Sequence, residues 1–165
     1  MTMPPRRAAA PLLAALLSLS AFPSITLADG LSVAPVKDPM VAKECSACHM
    51  LYPAGLLPAR SWQAMMGNLK NHFGDNADLD DATRKHITDY LVANAADTSG
   101  RGGRLLRDMD DSAAPLRISE SPWFLRKHEK KGRIAHDTLK RRGAKSPADC
   151  KACHQGAEKG YFEDD

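Results

Sequence analysis

Two short stretches of the sequence bring together residue types that can do chemistry: Cys45-Ser-Ala-Cys48-His49 and Cys150-Lys-Ala-Cys153-His154. Together they use all four cysteines of the chain. The spacing i, i+3, i+4 sets two thiols and an imidazole on one face of a helix. Thiols so placed can add to the two vinyl groups of a haem while the imidazole binds its iron. The competing chemistries fit less well. Disulfides would leave the histidine after each pair unexplained, and a four-cysteine zinc site would need halves that lie far apart in the chain and would not use both histidines. A redox cysteine pair belongs in a βαβ setting, and the sequence shows no convincing strand alternation. Covalent haem at both motifs is the expectation.

A low-spin iron held this way needs a sixth ligand on its other face. Only eleven residues follow His154, none of them histidine or methionine, so the second site must draw that ligand from upstream. Of the six histidines, His72, His86, His128 and His136 remain. His72 shares a helical pattern with Met65 and Leu69 just before Gly74, and His128 lies one turn beyond Phe124, so these two are preferred. His86 stands among charged neighbours and His136 among basic ones, and either remains open as a replacement. Met109 follows the first motif at a distance suited to histidine/methionine ligation, but in an acidic run, Asp-Met-Asp-Asp. Met65 and Met66 read as core residues at helical spacing.

The elements that must position these groups are helices. Asp38-Pro39 and Ser146-Pro147 each resemble a cap followed by proline at the first helical position, one ahead of each motif. A second helix is predicted from Ser61 as N-cap to about Phe73, and a third from about Asp80 to Ala95 with Ile87, Tyr90 and Leu91 inward. Tyr52 to Pro58 reads as an extended loop able to wrap a haem edge. Residues 101–116, rich in Gly, Asp, Ser and Arg, read as a linker. Beyond it, Ser121-Pro122 opens a helix through His128, and a basic helix follows that ends at Gly143. The predicted organisation is a leader at 1–28, a first haem unit at 29–100, the linker at 101–116 and a second haem unit at 117–165.

Residues 1–28 carry Arg6 and Arg7, an apolar run from Ala8 to Phe22 and Thr26-Leu27-Ala28, the pattern of an export signal cleaved near Ala28. A periplasmic protein is expected. From residue 29 onward 21 basic residues face 20 acidic ones, a net +1, which gives no reason to expect nucleic acid as a partner. That part of the chain has only eight aromatic residues, so two porphyrins would form much of its core. Lys127, Lys130, Lys131, Arg133, Lys140, Arg141, Arg142 and Lys145 cluster near the second motif, where they could steer an acidic partner.

The stretches E-C-S-A-C-H-M-L-Y-P-A-G-L-L-P-A-R-S-W and N-H-F-G-D-N-A, with S-P-W-F-L-R-K-H and K-S-P-A-D-C-K-A-C-H-Q-G-A-E, resemble the bacterial dihaem cytochrome c family. The resemblance implies an all-α fold of two small cytochrome c-like helical domains, each packed around one covalently bound haem. It also implies two haem c groups on Cys45, Cys48, Cys150 and Cys153. Their irons would lie between histidines: His49 and His154 on one side, His72 and His128 on the other. By the same resemblance the protein would be an electron carrier rather than an enzyme. It would take electrons from a membrane b-type cytochrome and pass them to a soluble redox protein, a small high-spin c-type cytochrome. Bis-histidine ligation would give lower potentials than histidine/methionine ligation. The alternative, were one iron to lack its second ligand, is a dihaem peroxidase or a gas-binding sensor.

Overall fold

In the computed structural model, residues 30–163 are described except 101, 129–133 and 135 and the side chain of His136. The expected leader, with Lys130, Lys131 and Arg133 of the basic cluster, lies outside the described residues. Among the described residues the fold is helical apart from one short strand pair.

Helix α1, Pro39–Cys45, starts as the sequence predicts: the Asp38 carboxylate accepts from the amides of Met40 and Val41, and proline occupies the first turn. Helix α2 spans Ala59–Met66, starting three residues earlier and running much shorter than expected. Pro58 takes the capping position and its carbonyl accepts from Ser61 and Trp62, so Ser61 becomes a buried residue of the first turn. The helix stops because Gly67 caps it and Asn68 leaves helical geometry (φ −138°, ψ 42°). A 3-10 turn, Leu69–Asn71, follows, so His72 lies beyond the helix. Helix α3, Asp81–Ala93, is capped by Asp80, whose carboxylate accepts from the Thr83 amide. Its buried residues Ile87 and Leu91 face α2.

These three helices close the first core around Val41, Leu57, Trp62, Met66, Leu69, Ile87 and Leu91. Pro53 to Pro58 is buried throughout, with a 3-10 turn at Ala54–Leu56 in place of a fully extended loop. Trp62 Nε1 donates to the Ala54 carbonyl at 2.7 Å, and the Ala96 amide donates to the Leu57 carbonyl at 2.9 Å. Those bonds satisfy a segment that contains two prolines and has no ladder of its own.

In the later half, helix α4 is Pro122–His128 and helix α5 is His136–Arg141. Ser121 Oγ accepts from the Phe124 amide, and Gly143 (φ 66°) turns the chain away after α5, both at their predicted places. The second core joins Trp123, Phe124, Ala157 and Phe162 to Val33, Leu56, Ala96 and Leu105 from earlier in the chain. Strand β1, Leu31–Ser32, pairs antiparallel with strand β2, Tyr161–Phe162. Residues 102–116 hold no helix or strand, yet Leu105 is buried and the Arg60 guanidinium donates to the carbonyls of Asp110 and Ala113.

Candidate metal centres

The first centre begins where α1 ends. Cys45 is the last residue of the helix, and Cys48 and His49 lie on the turn after it, not on one helical face. His49 Nδ1 is 2.7 Å from its neighbour's carbonyl, Met50 O, which leaves Nε2 for a metal. Facing it is His72, with ring centres 6.2 Å apart and planes 29° apart.

His72 is presented by a tight turn: its amide and carbonyl both bond to Asp75, at 2.8 and 3.1 Å. Phe73 (φ 56°) and Gly74 (φ 103°) between them are left-handed. Glycine adopts that conformation freely, but phenylalanine does so only when held. The Phe73 ring lies 4.8 Å from the His72 ring, and the Arg117 guanidinium carbon sits 4.0 Å over the Phe73 ring. Burial lowers the His72 pKa below its ordinary value, helped by His49 and Arg117 and opposed by Asp75. Neutral imidazole is the metal-binding form.

At the second centre Ser146-Pro147 opens a turn rather than the expected α-helix. The Ala148 amide reaches Ser146 Oγ and the Cys150 amide reaches back only to the Ala148 carbonyl, which winds the chain too tightly for α geometry. A 3-10 turn, Cys150–Ala152, carries the first thiol, and the Cys150 carbonyl accepts from both Cys153 and His154. Opposite stands His128, the last residue of α4, where its Nδ1 lies 2.9 Å from the Phe124 carbonyl one turn back. The His128 and His154 ring centres are 6.1 Å apart with planes at 87°.

Phe124 stacks on His128 at 4.0 Å and Phe162 meets His154 edge-on at 5.8 Å. A cavity of about 320 Å³ lies among Cys150, Cys153, His154, His128, Trp123, Leu31, Leu56 and Phe162. Trp123 Nε1 is buried with no hydrogen-bond partner among the described residues. It is a donor of the kind that a haem's propionate carboxylates accept.

These distances test what the pairs can hold. An imidazole nitrogen binds a transition metal at about 2 Å, so two imidazoles on opposite sides of one ion have ring centres about 6 Å apart. Both pairs meet that condition. A compact zinc site is not formed: among the described residues no three His, Cys, Asp or Glu side chains converge on one ion. All four cysteines are free of disulfides. Burial raises the Cys45 pKa and pushes Cys150 up to about 11.

His86, Met65 and Met66 are placed elsewhere. His86 Nε2 pairs with the Asp38 carboxylate at 2.8 Å, at the start of α1. Met66 is buried in the first core and Met65 packs against it. His136 begins α5, and its side chain lies outside the described residues.

The profile of the dihaem cytochrome c family matches residues 41–162. The chain belongs to the dihaem cytochrome c family. A solved diheme cytochrome c from Rhodobacter sphaeroides is 53% identical, over 79% of this chain and 100% of its own, with a TM-score of 0.71. A crystal structure of the dihaem protein purified from Rhodobacter sphaeroides is 51% identical over 78% of this chain and 99% of its own, with a TM-score of 0.63. The diheme cytochrome type c from Shewanella baltica OS155 is 38% identical over 76% and 86%, with a TM-score of 0.60. No curated protein matches the chain. As a dihaem cytochrome c, the protein carries two covalently bound c-type haems and works in electron transfer.

Sequence reasoning missed two contributors to these centres. Arg117 lies in the stretch before α4, far in sequence from the turn it covers, and the pairing of Leu31 with Phe162 carries no local pattern.

Proposed function

We propose that this dihaem cytochrome is an exported carrier of single electrons whose two irons are each held between two histidines. His49 and His72 hold the first, with thioethers from Cys45 and Cys48. His154 and His128 hold the second, with thioethers from Cys150 and Cys153. The observation that carries the reading is the pair of ring separations, 6.2 and 6.1 Å, each suited to one ion between two imidazoles. Haem supplies one-electron iron chemistry. The protein's part would be to present a histidine on each side of the metal, which would keep substrates off it, and to set potential through ligand identity and burial. An open site for peroxide or a diatomic gas has no support from this arrangement.

The donor in this reading is a membrane b-type cytochrome and the acceptor a small high-spin c-type cytochrome, met in the periplasm after cleavage near Ala28. Low-temperature EPR with near-infrared dichroism of the oxidised protein tests the ligation: two low-spin bis-histidine species are expected. A high-spin or histidine/methionine species in fully loaded protein would overturn it. Stopped-flow mixing of the reduced protein with an oxidised high-spin c-type cytochrome tests the partner, and the mass of the exported chain tests the cleavage site.

A further inference from the structure

Tyr52 joins the two centres. It stands three residues after His49, and its ring lies 5.1 Å from the His49 ring. Its hydroxyl donates to the Ala148 carbonyl at 2.7 Å, across 96 positions of sequence. That same carbonyl accepts from the Cys150 amide at 2.9 Å and lies 3.4 Å from Cys150 Sγ. One side chain therefore touches the imidazole of the first motif and the turn that presents the first thiol of the second.

The support behind Tyr52 is stiff. Pro53 to Pro58 is buried from end to end, with Ala54 and Leu57 in the first core and Leu56 in the second. A partly buried hydroxyl anchored on such a segment fixes its acceptor more firmly than one on a mobile loop, since little entropy is left to lose. The exchange of an electron between two sites depends steeply on their separation and on the bonded route between them. A single hydrogen bond that ties one attachment motif to the other acts on both.

We infer that Tyr52 is a positioning residue that sets the geometry between the two haem sites and thereby the rate at which they exchange an electron. The inference rests on the ligand reading above. The test uses the full-length, doubly loaded protein and its Tyr52→Phe variant, which keeps the ring and removes the hydroxyl. Electron redistribution between the haems after rapid photoreduction is timed, the Soret circular-dichroism couplet is recorded, and EPR monitors both irons.

The expected result is native low-spin signals from both irons, several-fold slower redistribution and a weakened couplet. An unchanged rate and couplet in fully loaded Tyr52→Phe protein would overturn the inference. If that variant loads poorly, its doubly loaded fraction is separated by haem-to-protein ratio before measurement. 4-Aminophenylalanine at position 52 keeps the ring and an N–H donor and should restore the native rate, whereas redistribution as slow as in Tyr52→Phe would count against the hydrogen bond. The two readings fail differently. Abnormal EPR of the native protein defeats the ligand assignment, while normal EPR with unaltered exchange defeats the role of Tyr52.

Discussion

The two histidine pairs differ in a way that single residues decide. His49 and His72 lie 29° from coplanar, whereas His128 and His154 are nearly perpendicular at 87°. Near-parallel imidazoles split the iron d orbitals widely and perpendicular ones leave them close in energy. Two distinct low-spin EPR signals are therefore expected, the more anisotropic one from the second centre. His128→Ala should abolish the anisotropic signal alone, and His72→Ala the other. Arg117 guards the first pair through Phe73. A cation over an exposed ring contributes about 0.5–1 kcal/mol, so Arg117→Ala should open the His72 turn about two- to fivefold more often by the same estimate. Azide binding at the first iron, followed optically, should quicken by that factor while the second iron is unaffected.

At the scale of elements, capping decides where the attachment turns fall. Asp38 holds the start of α1 and its carboxyl pKa lies below the ordinary 3.8, chiefly through the Val41 amide and then through His86. A carboxyl whose pKa falls on folding contributes stability above its unfolded value, and that contribution is lost as pH drops through the lowered folded value. Asp38→Ala should therefore melt at a lower temperature than the native protein at pH 7. The gap should narrow as pH falls from about 5 to about 2. Thermal scans across that range check it; a gap that widened toward acid would contradict the assignment. The sequence showed this cap and the one at Ser121, because a cap is local chemistry: a side-chain oxygen and an amide two or three residues on. It misjudged α2, where the apolar spacing of Met65, Leu69 and His72 runs on past the helix. Periodicity marks which residues turn inward, and a 3-10 turn after Gly67 keeps Leu69 buried just as a continued helix would.

For the whole molecule, the second centre depends on the pairing of β1 with β2. Strand β1 brings Leu31 to the cavity and β2 brings Phe162 against His154. The junction is Gly160, left-handed at φ 82°, whose carbonyl accepts from the Val33 amide at 2.8 Å. A Cβ at this position would stand 1.8 Å from the Val33 carbonyl oxygen. Gly160→Ala must strain its own backbone, at a cost of about 1–3 kcal/mol, and push the strand away. The expected outcome is a lower melting temperature and loss of haem from the second site with the first retained. A pyridine haemochrome titration against protein mass reads that directly, and full loading in this variant would show that the strand pairing is dispensable.

The sequence by itself determined the chemistry. Two cysteines and a histidine at fixed spacing specify covalent haem because all three groups lie within five consecutive residues. Its preference for His72 and His128 rested on helical spacing, and His128 does close α4 one turn after Phe124. For His72 the structure supplies a different basis, a left-handed turn bonded to Asp75. Only the tertiary structure decided which imidazoles face each other, that His86 is occupied by Asp38, and that Tyr52, Arg117 and the Leu31–Phe162 pairing bind distant segments together. These are contacts between residues tens of positions apart, fixed by how two cores pack around Pro53 to Pro58, and no local spacing encodes them.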